Sequence, residues 1–425
     1  MTDRRTAAPL LAFGLLVLGT ILGLAGTDLV LPAVPSLPET LGGSQAMAQL
    51  VLAAFVAGGC IGLLAFGELG ARIDQRNLLV ISLAAYALVS FACMAAPSLS
   101  VLVGLRFLQG LTGSAAAVFA PGMIREALPG AVIQHFLHIP WPDPSYWQML
   151  PAFMRSAICE SLCASDIVGF QTARDVRSFL QSCEMFLNQG TVDHTKRTVN
   201  LNGRETAVRC YPISIDVEEL KGIANSPRAL EYERKLRPLL GEKTIIRVDR
   251  VEPSKNIVRG FRAYRLLLER NQALIGKVKF LAFLVPSRTH IRQYQRYLQE
   301  VENLVSEINE AFGTEEWQPI TVFYENNYTQ AMAAMKLYDV LLVNSIIDGM
   351  NLVAKEGPVV NTRGGIVILS ETAGAYAQLH DGVLAVAPAD VEGTAQALYQ
   401  AINASVEERE MRSNLLAQKI EEEDV

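Results

Sequence analysis

Four apolar runs, at residues 10–31, 47–66, 78–96 and 99–120, fill the start of this 425-residue chain and tie that part of it to a membrane. Each has about the 20 residues needed to cross the hydrocarbon core of a bilayer, whereas a cleavable signal peptide would supply a single run. Half of the residues are apolar, and the excess over an ordinary globular chain lies within the first 125 positions. The connectors sort by charge. Arg4 and Arg5 precede the first run, Arg72 and Arg76 separate the second from the third, and Arg125 follows the fourth, while residues 32–46 and 96–98 hold no Lys or Arg. By the positive-inside rule this predicts a multi-pass protein of the inner cell membrane, with its N-terminus and everything after Leu128 in the cytoplasm and the lipid bilayer as a partner.

Three patterns within this section resemble the major facilitator superfamily, in particular its proton-coupled drug-export branch. They are Thr27-Asp28-Leu29-Val30-Leu31-Pro32-Ala33-Val34-Pro35, Gly67-Glu68-Leu69-Gly70-Ala71-Arg72 and Arg106-Phe107-Leu108-Gln109-Gly110. Ionisable side chains in membrane helices are costly, which makes Asp28 and Arg106 the transmembrane candidates. Asp28 reads equally as a solvated interfacial residue; Arg106 lies nearer mid-membrane, and the resemblance implies a part in proton coupling for it. Ala71 and Asp74 stand where the family has an aspartate and a glycine. A complete transporter of this type has two six-helix halves around a central site. Four helices supply one wall of such a site, so transport by this chain alone is not expected.

The net charge of -6 and pI near 5.6 exclude a general nucleic-acid binder, which needs a clustered basic face. Cys159 and Cys163 are one helical turn apart, but no second pair or nearby histidine completes a tetrahedral metal site. The six cysteines therefore read as structural thiols in a reducing compartment.

From Pro129 onward, short β-branched runs alternate with amphipathic helices, the pattern of an α/β fold with a parallel sheet. Strands are predicted at 131–136 and 167–170, and helices at 146–164 and 174–187. A regular series follows, with strands at 244–248, 278–285, 320–324, 340–343 and 365–369 and helices at 257–271, 292–311, 328–337, 352–361 and 391–405. That series predicts a doubly wound nucleotide-binding domain, whose ligands lie beyond the carboxyl ends of the strands. The chain thus divides into 1–128, 129–240 and 241–425.

Two constellations fall at those strand ends. Arg250 and Lys255 follow a strand and precede a helix, so two cations and a helix N-terminus meet where a diphosphate would be stabilised. Exposed basic residues in a loop are also commonly just solvated. The stronger constellation is Asp348-Gly349-Met350-Asn351-Leu352-Val353-Ala354-Lys355-Glu356, in which a glycine lets backbone amides approach a ligand at the start of a helix. Asp348 and Glu356, about two helical turns apart, suit sugar hydroxyls because each carboxylate accepts several hydrogen bonds. The alternative for Glu356 is a pair with a neighbouring lysine.

With Phe136-Leu137-His138-Ile139-Pro140-Trp141-Pro142, Asp166-Ile167-Val168-Gly169-Phe170-Gln171-Thr172, Ser254-Lys255 and Ser287-Arg288, these residues resemble the trehalose-6-phosphate synthases, retaining glycosyltransferases of GT-B fold. The resemblance implies a multidomain chain: a four-helix transmembrane segment, then an α/β glycosyltransferase with a truncated N-terminal lobe and a complete Rossmann-like C-terminal lobe. It implies that Arg250 and Lys255 neutralise the departing diphosphate, Glu356 holds the ribose hydroxyls, and the amides of Asn351 and Leu352 touch phosphate. Asp348 and His138 would bind the donor hexose and Arg288 the 6-phosphate of the acceptor. His138 by itself reads as a structural histidine. The implied substrates are UDP-glucose or GDP-glucose and a sugar phosphate such as glucose 6-phosphate, with no metal or other cofactor; a homo-oligomer is left open.

Departures accompany the matches. Glu252-Pro253-Ser254-Lys255-Asn256 replaces the usual Asp-Tyr-Ser-Lys-Gly, Ile347 stands in place of an arginine, and Gly357-Pro358 follows the glutamate. These features are similar to a branch that includes pseudo-glycosyltransferases joining aminocyclitols through nitrogen, which leaves the donor base and acceptor open. The opening strand and glycine loop of the family's N-terminal lobe, that lobe's acceptor-phosphate residues and an aspartate upstream of the His138 motif do not occur. The leading expectation is a membrane-tethered, incomplete glycosyltransferase that binds a nucleotide sugar, with the missing part of the lobe weighing against turnover. The alternatives are a half-transporter carrying a sensor and a chimera of two gene fragments. The half lobe is expected to expose an unpaired sheet edge, and the acidic run Glu421 to Asp424 to fray.

Overall fold

The apolar runs of the N-terminal section form long helices: α1 (Gln45–Leu69), α2 (Gln75–Met94) and α3 (Leu99–Ala127). All three are long and apolar enough to cross a membrane. The computed structural model describes residues 29–127, 130 and 132–423, together with Gly14, Val17, Gly19, Ile21, Ala25 and Gly26. Most of the first predicted run, Asp28, and the junction at Leu128 and Pro129 lie outside the described residues. The chain divides into two units, Met1–Ile133 and Gln134–Val425.

In the first unit α1 and α3 touch backbone to backbone. A Cβ on Gly58 would lie 2.0 Å from the Phe107 carbonyl oxygen, and one on Gly110 would lie 1.9 Å from that of Phe55. Small residues at such crossings bring apolar helices close enough for dispersion to hold them where no hydrophobic drive exists. Leu64, Leu88, Phe91 and Met94 point outward, as side chains facing lipid tails do. Arg106 is buried on α3, its guanidinium 4.3 Å from the centre of the Phe55 ring. It donates to Gln109 Oε1 at 2.6 Å and to the Gly26 carbonyl, and Gln109 donates in turn to Ser90 Oγ on α2 at 2.8 Å. Asp74 has a local task, accepting from the Asn77 amide at 2.9 Å to cap α2.

The second unit contains two sheets. The first comprises β1 (Gln134–Leu137), β2 (Ile167–Phe170), β3 (Gly190–Asp193), β4 (Thr198–Leu201) and β5 (Arg204–Cys210), in the order β1-β2-β5-β4-β3. Among the described residues β1 pairs with β2 alone, in parallel, and stands at an edge of this sheet, where the open edge is expected. A groove of about 670 Å³ lined by Leu137, Ile139, Trp141, Trp147 and Ile158 runs beside it. Helices α4 (Ala152–Leu162) and α5 (Ala173–Phe186) complete this lobe, whose core gathers Trp141, Phe170 and Phe179 with Cys159, Cys163 and Cys183, all three free thiols.

The second sheet is wholly parallel, in the order β11-β10-β9-β6-β7-β8. Its strands are β6 (Lys243–Arg250), β7 (Val278–Val285), β8 (Ile320–Phe323), β9 (Val340–Val343), β10 (Ile366–Ser370) and β11 (Leu384–Val386). Alternate residues face opposite cores. Ile245, Phe280, Val340 and Ile366 pack under α8 (Ile257–Arg270), α9 (Arg292–Phe312) and α12 (Val391–Asn403). Ile246, Leu281, Leu341 and Val367 face α10 (Tyr328–Met335), α11 (Val353–Val360) and α13 (Val406–Glu422), joined there by α6 (Val217–Ala224) and α7 (Pro227–Leu236).

Three stretches depart from the expectations or add to them. The helix predicted at 146–164 is a single turn, Pro144–Trp147, and then α4, which starts after Pro151 because proline cannot donate within a helix. The stretch 190–236, for which no element is predicted, holds β3 to β5 and α6 to α7; its signals are the Asn202-Gly203 turn, with φ of 55° and 82°, and the Ser226-Pro227 helix start. In the acidic C-terminal run, expected to fray, Glu421 and Glu422 remain helical, with Lys221 bonding Glu421 Oε1 at 2.9 Å, Glu423 is a turn, and Asp424 lies outside the described residues.

The α1–α3 contact supplies a test. Gly110→Ala is expected to destabilise the membrane unit by about 1–3 kcal/mol, the usual cost of overpacking, read as a lower thermal midpoint of the full chain in detergent. Gly104→Ala, where nothing beyond the adjoining turns of its own helix lies within 4 Å of the added carbon, is expected not to lower the midpoint.

Candidate active site

The chain leaves the central strands β6 and β9 in opposite directions, toward β7 on one side and β10 on the other. This reversal opens a crevice at their carboxyl ends, where ligands of such sheets bind. The loop after each strand sends one charged side chain across it. Lys255 Nζ lies 2.6 Å from Asp348 Oδ2, with 14% and 18% of the two side chains exposed. Ser345 Oγ at 3.3 Å and Asn351 Nδ2 at 3.0 Å bond the same carboxylate oxygen. Lys255 and Asp348, assigned separate tasks by the sequence, therefore face one another.

A buried layer supports this pair. Arg247, in the middle of β6 and fully buried, donates to Asp249 Oδ2 and Asn344 Oδ1, both at 2.8 Å, and to the Lys255 carbonyl. Asp249 Oδ1 lies 3.8 Å from Lys255 Nζ. Burial pushes the Asp249 carboxyl above its ordinary value, and Arg247 and Lys255 pull against that rise. Asn256 adopts φ 61°, a left-handed conformation that asparagine tolerates, and its Nδ2 bonds the Asn344 and Pro388 carbonyls at 2.9 and 2.7 Å. A glycine there would adopt the same φ without those two bonds.

On the β9 side, Asn351 also has positive φ, 73°, and its Oδ1 accepts from the Ala354 amide at 3.3 Å at the start of α11. Gly349 is where the two lobes meet: a Cβ on it would stand 2.1 Å from the His138 carbonyl oxygen. His138, just beyond β1, is thereby held beside the Asp348 loop, its ring edge-on to Phe136 at 4.8 Å and its Nδ1 3.5 Å from Gln171 Nε2. Lys355 reaches back to the Ile213 carbonyl at 3.1 Å, and Arg174 spans the lobes to the Thr372 carbonyl at 3.3 Å. Glu356 is buried in the first turn of α11, where its Oε1 accepts from the Tyr328 hydroxyl at 3.2 Å. Burial raises its pKa, a rise that the Tyr328 bond opposes.

Arg250 and Arg288 occupy a neighbouring rim. The exposed Arg250 pairs with Glu252 Oε1 at 3.0 Å, and Ser287 Oγ bonds that same oxygen at 2.9 Å. Arg288, exposed at φ 48°, bonds the Tyr294 hydroxyl at 2.8 Å and lies 5.4 Å from the centre of its ring. The structure thus joins Lys255, Asp348 and Asn351 directly, holds His138 against their loop, and links Arg250 through Glu252 to the residue before Arg288. Leu352 precedes α11, with Glu356 one turn beyond it. Sequence reasoning missed Arg247, Asp249 and Asn344; the available signal was two charges in a strand of a parallel sheet, where both faces are buried.

A model of glycosyltransferase family 20 matches residues 117–425, and one of the Major Facilitator Superfamily matches residues 16–133. The bifunctional trehalose-6-phosphate synthase/phosphatase of Thermoproteus tenax is 33% identical over 314 residues, covering 72% of this chain and 42% of its own length. The UDP-forming alpha,alpha-trehalose-phosphate synthase of Pichia angusta is 35% identical over 298 residues, covering 68% of this chain and 62% of its own. The chain therefore spans less than two thirds of either relative. Among solved structures, the Burkholderia xenovorans synthase in complex with glucose-6-phosphate superposes with a TM-score of 0.66 at 32% identity, over 72% of this chain and 68% of that one.

The buried Glu356 generates a pH test. Because its folded-state pKa lies above the ordinary 4.5, its contribution to stability is fully present below pH 4.5 and is lost as pH rises through the raised value. Glu356→Gln keeps an acceptor for Tyr328 and removes the titration. Its thermal midpoint is expected to match wild type below pH 4.5 and to exceed it increasingly toward neutrality; a gap independent of pH would contradict this.

Proposed function

The chain belongs to glycosyltransferase family 20, and from that premise we propose that residues 134–425 bind a nucleoside-diphosphate glucose and pass the glucosyl group to a sugar phosphate such as glucose 6-phosphate, as a step of trehalose biosynthesis. The observation that carries this reading is the Lys255–Asp348 pair across the switch point between β6 and β9. In this reading the ammonium of Lys255 meets the departing diphosphate and the carboxylate of Asp348 accepts from hexose hydroxyls.

Arg250 and Lys255 offset the charge that grows on the leaving diphosphate, the main electrostatic demand of the reaction. Glu356 accepts from the ribose hydroxyls, the amides of Asn351 and Leu352 face phosphate, Asp348 and His138 hold the hexose, and Arg288 takes the acceptor's 6-phosphate. The bond from the acceptor oxygen to the anomeric carbon forms on the face from which the diphosphate departs. The acceptor proton passes to a diphosphate oxygen, which retains the anomeric configuration without a metal. UDP-glucose is the donor favoured by the UDP-forming relatives, with GDP-glucose as the alternative.

The membrane section is a tether in this reading. The three apolar helices support association with a bilayer, and the arginine-bearing connectors favour a multi-pass arrangement in the inner membrane with the glycosyltransferase unit on the cytoplasmic side.

Calorimetry of the full chain in detergent with each donor tests the proposal. UDP-glucose is expected to bind with or without EDTA, and Lys255→Ala and Glu356→Ala are each expected to weaken binding by about tenfold or more, as loss of a hydrogen bond to a charged group does. Formation of trehalose 6-phosphate on adding glucose 6-phosphate is expected to follow the same order. Absence of heat from wild type with both donors would overturn the reading.

A further inference from the structure

Arg247 has no surface with which to touch a substrate, yet all three of its acceptors belong to the machinery around Lys255. Nη2 holds the backbone carbonyl of Lys255 itself. Nε holds Asp249, whose other oxygen lies 3.8 Å from the Lys255 ammonium. Nη1 holds Asn344, whose carbonyl accepts from Asn256, the residue after Lys255. A fully buried guanidinium carries a large desolvation cost, and a packed apolar residue in a two-faced sheet would avoid it. The cost falls on a single side chain that ties the loop after β6 to the segment after β9.

We propose that Arg247 is a positioning residue for the donor diphosphate: it fixes the Lys255 backbone and the Asp249 wall so that the ammonium is held over the crevice before the donor arrives. This inference rests on the assignment of Lys255 as a diphosphate ligand. Asn256 and Asn344 complete the brace from the far side, and Lys255 itself remains the group that touches the ligand.

The simpler role is to neutralise Asp249. The two roles separate in an Asp249→Asn background, which retains an acceptor for Nε and removes the buried charge. UDP is titrated into the full chain in detergent, with thermal unfolding recorded in parallel, for wild type, Asp249→Asn, and Asp249→Asn combined with Arg247→Met. If Arg247 positions Lys255, the double variant remains folded at the titration temperature but binds UDP about tenfold more weakly than Asp249→Asn, the loss expected for one charge-assisted hydrogen bond. Should the methionine variant fail to fold, Arg247→Lys in the same background is the substitute, because one ammonium cannot reproduce the guanidinium fork. It too is expected to lose about tenfold in affinity. Equal UDP affinity with and without Arg247 in that background overturns the inference and leaves the functional reading intact. No UDP binding by wild type overturns both.

Discussion

The ion pair between Lys255 and Asp348 joins residues 93 positions apart and closes the crevice at which the parallel sheet reverses direction. Nearly every other feature of the site is arranged around it. β6 and β9 bring the two loops side by side, Arg247 and Asn256 fix the first loop from beneath, and Ser345 and Asn351 fix the carboxylate of the second. The pair is mostly withdrawn from water, where an ion pair balances attraction against desolvation and is seldom a net source of stability. The proposed donor role accounts for its retention in the crevice as a charge arrangement for a ligand, with Asp348 holding the ammonium until phosphate oxygens share it.

How much of this could be read in the sequence depended on whether the causes were local. The run 278–285 is apolar at every position but Lys279 because both faces of β7 are buried, and the prediction matches the strand residue for residue as Val278–Val285. The Asp348 to Glu356 stretch was legible because its glycine, asparagine and carboxylates sit close together at a strand end. β3 to β5 were missed because they are short strands joined antiparallel in an otherwise parallel pattern, although Asn202-Gly203 marked a hairpin. Arg247 could not be assigned from sequence: its meaning comes from Asp249, Lys255 and Asn344, and the last is 97 residues away. The same holds for Gly349, whose lack of a side chain matters because His138 comes from the other lobe.

The N-terminal unit follows different rules within the same chain. Its helices gain cohesion from close approach at Gly58 and Gly110 and from the polar relay of Arg106, Gln109 and Ser90, while its outward faces remain apolar. The matches to the two families overlap between residues 117 and 133, so a membrane fold passes into an α/β fold within a few turns of chain. Asp74 shows how a departure from one family's pattern is used locally, as the cap of α2 in place of a glycine.

Hydrogen exchange of the full chain in detergent, followed by mass spectrometry with and without UDP-glucose, tests most directly whether the crevice between β6 and β9 is a donor site. Slower exchange is expected in peptides covering residues 250–256 and 345–356, with little change elsewhere in the second sheet. Unchanged exchange in both segments at saturating UDP-glucose, or protection confined to other parts of the chain, would contradict the account.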